Sequence, residues 1–385
     1  MKIAHVITRM IIGGAQENTL FSVIGQSQNG HDVTLITGLS LGPEGSLDTV
    51  LKKNEYHFKT IVLTCMTRNL SLIADIQSLI KLWKLFRIER YDIVHTHSSK
   101  AGILGRLAAK LAGIKLIIHT IHGLPFHPYQ SRWSFWFYVW CERLAARCCH
   151  KIVCVATAMK NQALRAKVGR SDQFIIIPSG VDLDRFCFDP AARQKYRQKF
   201  GLGETHIVIG TIARLFELKG HEYVIEAAEK LVPQYPHVRF IFIGDGILQE
   251  ALKKNIRDRL LSDYFIFTGL IRPDEIGQIY SMLDIVVHAS LREGLARVIP
   301  ESMACERPII SFDVDGASDI IENEANGFLI PPQNTEQLIC VLKRLITDLQ
   351  LRNKIGRAGK STVYPTFLYT YMIEQLEQLY KGKLG

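Results

Sequence analysis

A chain of 385 residues exceeds one ordinary hydrophobic core, and at about 100–200 residues per domain it predicts two domains. With 47% hydrophobic and 22% charged residues, the composition is that of a globular protein and excludes long disordered stretches. The net charge of +10 suits nucleic acid, an anionic membrane or phosphorylated small molecules; with no basic arm, zinc-finger or RNA-binding signature, nucleic acid is set aside.

The first residues run directly into an apolar strand and a Gly-Gly pair, without the long apolar region and cleavage site of a signal peptide. No run approaches the ~18 apolar residues of a membrane-spanning helix. The eight cysteines form no C-x-x-C pair and mostly sit in apolar runs, which fits free thiols in a reducing compartment. A cytoplasmic location is expected.

Short apolar runs at residues 3–7, 32–37, 59–63, 92–96, 115–119, 151–155 and 174–177 read as strands. Helical stretches at 16–28, 72–87 and 101–111 lie between them. Alternation of helices with fully apolar strands predicts a parallel sheet covered on both faces. Turn chemistry at Pro178-Ser179-Gly180-Val181-Asp182 breaks the pattern, and a polar helix at 190–200 follows. A second series of strands is expected at 207–212, 239–243, 265–267, 284–288, 308–312 and 327–330. The fold class is therefore α/β, with two Rossmann-like domains. A last helical stretch at 366–381 has no strand after it, and periodicity alone leaves its packing partner open. Ligands of such sheets bind beyond the carboxyl ends of the strands, which places the expected site in a cleft between the domains.

The candidate residues follow strands. Gly13 and Gly14 open a helix after the first strand, where bare backbone lets a phosphate approach the helix N-terminus. The third glycine of the dinucleotide fingerprint is missing, which argues against a dehydrogenase. His95 and His97 share one strand face, a spacing that could bind metal, but neither a carboxylate nor a third ligand lies nearby in sequence, so no metal site is expected. Ser98 and Lys100 suit either contact with an acceptor or capping of the helix from Ala101. His122 can hydrogen-bond a sugar hydroxyl or a developing charge. Residues 133–140 hold six aromatics beside Arg132, Arg143, Arg147 and Lys151, which fits either a helix lying on an anionic membrane surface or a core helix. Arg214 and Lys219, with Gly220, stand at the mouth of another helix and suit a diphosphate. Glu293 and Glu301 flank Gly294-Leu295-Ala296-Arg297 and can accept hydrogen bonds from sugar and ribose hydroxyls.

Together Gly13-Gly14-Ala15, His122-Gly123, Pro178 to Asp182, Arg214 with Lys219-Gly220, Gly244-Asp245-Gly246 and Glu293 with Glu301 resemble the retaining GT-B glycosyltransferases of family GT4 over essentially the whole chain. Ser98 to Gly102 with His119 to Gly123 is similar to members that build bacterial exopolysaccharide, capsule or O-antigen. The resemblance implies an acceptor-side domain over 1–185, a nucleotide-sugar-binding domain over 186–365, and a closing helix, 366–385, that crosses back to the first domain. It implies transfer from a nucleotide sugar, a UDP-sugar in the first instance, to a glycan or lipid-linked acceptor, with no cofactor and no metal. Backbone near Gly14 would contact the donor diphosphate, and Arg214 and Lys219 would neutralise it. Glu301 would hold the ribose. Glu293, with the N–H groups of Leu295 and Ala296 in the turn that Gly294 opens, would hold the donor sugar, and His122 would sit near the reacting carbon. The family loop usually reads Glu-Gly-Phe-Gly-Leu; here Leu295-Ala296-Arg297 departs from it and implies an altered donor preference with Arg297 as an added charge beside the donor. A nucleotide-sugar epimerase or a phosphorylase on the same fold, and a non-catalytic sugar-nucleotide-binding subunit, are the alternatives.

Overall fold

The computed structural model describes residues 1–40, 47 and 57–384. It contains a seven-stranded sheet in the order β3-β2-β1-β4-β5-β6-β7 and a six-stranded sheet in the order β10-β9-β8-β11-β12-β13. In the first, β1 is Lys2–Ile7, β2 Asp32–Thr37, β3 Lys59–Val62, β4 Ile93–His97, β5 Leu116–Ile121, β6 Lys151–Cys154 and β7 Phe174–Ile176. In the second, β8 is Ile207–Ile212, β9 Val238–Ile243, β10 Phe265–Phe267, β11 Ile285–His288, β12 Ile309–Phe312 and β13 Phe328–Ile330. Neighbouring strands are parallel throughout. Each expected strand is present, and the reason is the expected one: β4 and β5 are buried at every position, as strands covered on both faces must be. β4 and β5 run one or two residues beyond the apolar runs, because the parallel register continues through Thr96↔His119 and His97↔Thr120.

Contacts divide the chain into two units, Met1–Gly180 with Tyr369–Gly385, and Val181–Leu368. Both sheets repeat the doubly wound 3-2-1-4-5-6 order, which reverses direction between β1 and β4 and between β8 and β11. The strand ends flanking that reversal are where a ligand site belongs in such a sheet.

The helix Tyr369–Leu384 belongs to the first unit. Its Met372, Ile373, Leu376 and Tyr380 pack on Ile3, Ile93, Leu116 and Ile118 of β1, β4 and β5. Each fully buried aliphatic side chain of this kind stabilises by roughly 1.5–3 kcal/mol relative to exposure. Gly25 in the helix Gly14–Gln28 makes room for it, since a Cβ there would lie 2.1 Å from Cδ1 of Ile373. His31 Nε2 pairs with Glu377 at 3.0 Å. The second unit is held by its own core, built on Phe240, Phe242, Ile285, Val287 and Phe312 of the sheet and Leu338, Leu342 and Leu345 of the helix Thr335–Thr347.

Candidate active site

In the second unit, the loop after β8 is seated by two glycines whose backbone no other residue could supply. Gly220 (φ 72°) caps the helix His221–Leu231, and a Cβ there would lie 1.9 Å from the Ala289 carbonyl oxygen. Gly244 (φ 137°), at the end of β9, has the Ala213 carbonyl oxygen 2.3 Å from where its Cβ would be. Only glycine tolerates these positions, and through them the loop bearing Arg214 and Lys219 is pressed against the ends of β9 and β11.

That approach brings Lys219 Nζ onto Glu293 Oε1, the pair the sequence placed 74 residues apart. His288, the last residue of β11, brings Nε2 to 3.5 Å from the same oxygen. The Glu293 backbone N–H donates to Asp315 Oδ2 at 2.7 Å and fixes the turn. Burial would raise the Glu293 carboxyl, but the charge of Lys219 and the hydrogen bond from His288 outweigh it and hold the group well below the usual carboxylate range. Glu293 is thus an ionised, half-buried acceptor.

Glu301 lies in the helix Val298–Ala304 and is buried. Its Oε2 accepts from the Tyr280 hydroxyl at 2.8 Å. Burial and the adjacent carboxylate push that hydroxyl well above its ordinary range, so Tyr280 stays a donor. Arg297 does not simply add a charge to the loop: its Nη2 lies 3.4 Å from Glu301 Oε1, one helical turn away. Leu295 and Ala296 are buried, and the Gly294 carbonyl accepts from the Gly316 N–H at 3.2 Å. The Arg214 guanidinium sits 5.1 Å from the ring centre of Phe216.

In the first unit, Gly13 is extended (φ 171°) and precedes the helix Gly14–Gln28, as expected. Ser98 does not cap the helix Ser99–Ala112 with its side chain; at φ 60° it turns its hydroxyl to Thr8 Oγ1, 2.8 Å away. Lys100 Nζ is 2.5 Å from Asp75 Oδ1 and also donates to the Asn69 carbonyl. Ser98 and Lys100 line a cavity of about 420 Å³ with Arg9, Arg68, Leu70 and Phe137.

His122 follows β5, and sequence reasoning missed its setting. Alternate residues of β1, β4 and β5 (His5, His95, His97 and Thr120) share the face that carries the closing helix. Gln26 Oε1 lies 2.7 Å from His5 Nε2, His5 Nδ1 2.9 Å from His97 Nε2, and His97 Nδ1 3.0 Å from His122 Nε2. Tyr380, from the closing helix, accepts from Gln26 Nε2 at 3.0 Å and lies 2.6 Å from His95 Nδ1. Burial lowers His5 and His122 to about 4, and His95 and His97 well below the ordinary value, so the row is neutral at pH 7.

This row corrects the ground on which metal binding by His95 and His97 is set aside, because His5 supplies a third imidazole within 4.8 Å. The geometry is nonetheless that of hydrogen bonding. Both ring nitrogens of each of the three have another partner, His95 Nε2 lying 2.7 Å from Thr120 Oγ1. His95 and His97 are also stacked, with centroids 4.5 Å apart and ring planes 28° apart.

The aromatic segment forms the helix Arg132–Ala146 and is not a core helix. Val139, Glu142, Ala145 and Ala146 face inward, while Trp133 (90% exposed), Trp136, Phe137 and Trp140 face out. The helix Leu72–Glu89 repeats the inversion: Leu72, Ile73, Ile76, Ile80 and Trp83 are exposed. Among the described residues no helix is long and apolar enough to cross a membrane.

The family described as Glycosyltransferase Family 4 matches residues 12–185, and that described as Glycosyl transferases group 1 matches residues 192–362. The chain is similar to the UDP-Gal:alpha-D-GlcNAc-diphosphoundecaprenol alpha-1,3-galactosyltransferase of Escherichia coli, with 32% identity over 99% of this chain and 96% of that one. It is also similar to the capsular polysaccharide biosynthesis glycosyltransferase CapM of Staphylococcus aureus, with 26% identity over 82% of this chain and 83% of the other. Anabaena Alr3699/HepE, solved in complex with UDP and glucose, shares the fold with a TM-score of 0.84 and 23% identity over 99% of both chains. Two parallel sheets of the same winding, strand ends that gather the paired glutamates and basic residues, two family models that together span most of the chain, and a relative 32% identical over 96% of its length lead to one assignment: the chain belongs to the GT4 family of GT-B glycosyltransferases.

Proposed function

We propose that this glycosyltransferase moves a sugar from a UDP-sugar to a hydroxyl of a glycan or lipid-linked acceptor in cell-surface polysaccharide synthesis, with retention of anomeric configuration and without a metal ion. The observation that carries the donor assignment is the Lys219–Glu293 pair beside His288 at the ends of β8 and β11. In this reading, Lys219 and Arg214 neutralise the departing diphosphate, and the N–H groups at Gly14 are offered to phosphate at a helix N-terminus. Glu293, held ionised, accepts from sugar hydroxyls, helped by the N–H groups of Leu295 and Ala296. Glu301 takes the ribose hydroxyls while Tyr280 fixes its second oxygen. His122 contacts the sugar near the reacting carbon. The transition state resembles an oxocarbenium ion, so positioning and stabilisation of the leaving group supply most of the catalysis.

The acceptor is assigned to the cavity lined by Ser98 and Lys100, whose Arg9 and Arg68 suit an anionic or diphosphate-linked glycan. The Escherichia coli relative is named for a diphosphoundecaprenol-linked acceptor, which supports this class. The outward apolar residues of the helices Leu72–Glu89 and Arg132–Ala146, with Lys81, Lys84, Arg87, Arg132 and Arg147 among them, suit a peripheral seat on an anionic bilayer.

A thermal-shift series over UDP-, GDP-, ADP- and TDP-sugars tests the donor, because the true donor stabilises the folded chain by mass action. UDP-sugars are expected to give the largest shift, and no shift with any member removes the donor site. Product anomers read by NMR test retention; an inverted product ends it. Activity that falls on chelation and returns with added magnesium or manganese ends metal independence. Release of UDP with an altered free sugar and no need of an acceptor would identify an epimerase instead.

A further inference from the structure

We propose that Gln26, His5 and His97 are positioning residues that hold His122 in one tautomer, protonated at Nε2, so that its bare Nδ1 is presented to a hydroxyl of the sugar as an acceptor. The inference rests on the assignment of His122 to the sugar. The donor and acceptor roles follow link by link. The Gln26 amide nitrogen donates to the Tyr380 hydroxyl at 3.0 Å, which leaves its oxygen facing His5 Nε2 at 2.7 Å. An amide oxygen can only accept, so His5 carries its proton on Nε2. A neutral His5 then has a bare Nδ1, and the 2.9 Å contact requires an Nε2–H on His97. A neutral His97 in turn has a bare Nδ1, and the 3.0 Å contact requires an Nε2–H on His122. The hydroxyl of Tyr380, having accepted from Gln26, donates to His95 Nδ1 at 2.6 Å, and His95 Nε2–H donates to Thr120 Oγ1 at 2.7 Å. The row is consistent from the closing helix to the site.

His122 Nδ1, at the open end, is buried and has no hydrogen-bond partner among the described residues. A buried polar atom left in this state costs about 1–3 kcal/mol. A hydroxyl donor from the substrate would satisfy it; a phosphate oxygen, which can only accept, would not. Burial keeps all four rings neutral, and a neutral row can transmit one polarity only. Inverting the Gln26 amide would invert every link and leave His122 a donor at Nδ1. In the observed orientation Tyr380 is the acceptor of the Gln26 amide N–H.

The test labels histidine with ¹⁵N in the full chain and reads the two ring nitrogens of His122 without ligand at neutral pH, the signal being assigned by its loss in His122→Asn. Nε2 protonated and Nδ1 bare is expected in the wild type; a proton on Nδ1 overturns the proposal. Gln26→Met removes the acceptor at near-constant volume. It is expected to give mixed tautomers at His122 and a kcat about tenfold lower, the loss of one hydrogen bond's worth of alignment, with donor KM within about twofold. Gln26→Glu keeps an acceptor toward His5 and is expected to restore the single tautomer and most of the kcat. A Gln26→Met chain with unchanged spectrum, or with mixed tautomers and unchanged kcat, ends the positioning role. If that variant does not fold, the wild-type spectrum decides. A wild type with bare Nδ1 but no glycosyl transfer would sink the functional reading of the site and leave the tautomer standing.

Discussion

The two units wind their sheets in the same order, yet the strand ends at their topological reversals carry opposite kinds of chemistry. In the first unit, a row of neutral imidazoles runs from the interior of β1 and β4 (His5, His95) to the end of β4 (His97) and to His122 just beyond β5. In the second, the ends of β8 and β11 hold charges: Lys219 on Glu293, with Arg297 close to Glu301. The fold sets where a ligand can sit, and the few side chains exposed at that place set what it can be. A neutral, dry row suits hydroxyls whose protons must be aligned. A charged, partly wet cluster suits a diphosphate whose negative charge grows as the bond breaks.

The contrast is most sharply broken at Lys219. Lys219→Met should lower kcat/KM by about 10²–10³, the range seen when a preorganised group that stabilises developing charge is removed, read as UDP release in the presence of acceptor. A fall below tenfold would place the leaving group elsewhere. Next is acid. An unfolded histidine takes its proton near 6.5, whereas folded His5 does so only at about 4. The folded chain therefore binds fewer protons between those values, and the stability is complete above pH 6.5 and lost as pH falls toward 4. For His5 alone this is about 3 kcal/mol. Among the described residues the first unit has five histidines lowered in this way (His5, His95, His97, His119 and His122) against His206 and His221 in the second. Core amides of the first unit should lose hydrogen-exchange protection first on going from about pH 7.5 to about pH 5; equal loss in both units would erase the distinction. Smaller again is Glu301→Gln, expected to raise donor KM about tenfold with kcat little changed, since it weakens uniform binding of the nucleotide. A kcat loss instead would move Glu301 from the nucleotide to the chemistry. The smallest effect is on stability in a triple Trp133→Ala, Trp136→Ala, Trp140→Ala variant, within about 0.5 kcal/mol per site because the side chains face outward. Its flotation with anionic vesicles should nevertheless fall several-fold, and unchanged flotation would leave those tryptophans without the proposed role.

The second unit's site was far more legible in the sequence than the first unit's. Arg214, Lys219, Glu293 and Glu301 each follow a strand in a loop or at a helix start, so reading strand ends in order finds them. His288, the last residue of β11 and five before Glu293, was within reach of the same reading. The histidine row was not. His5, His97 and His122 come from three strands that become neighbours only once β4 is inserted beside β1, and each alone looks like one polar residue in an apolar run. Tyr380, which accepts from the Gln26 amide at the head of the row, lies more than 250 positions beyond His122 in the chain. The helix Leu72–Glu89 shows a different limit. Ser78, Leu82 and Phe86 take its inward side, and the longer apolar stripe faces out. Periodicity tells that a helix has an apolar face and says nothing about which way the face points.

The return of the helix Tyr369–Leu384 to the first unit also sets a timetable for synthesis. Domains commonly fold as they leave the ribosome, the N-terminal one first. Here the order is inverted: Val181–Leu368 is contiguous and can complete its core while the first unit still lacks Met372, Ile373, Leu376 and Tyr380. Until those residues emerge, Ile3, Ile93, Leu116 and Ile118 lack the packing they receive from this helix and the Gln26 amide N–H lacks Tyr380 as its acceptor. A nascent chain stalled before residue 369 would hold a finished charged cluster and an unfinished histidine row.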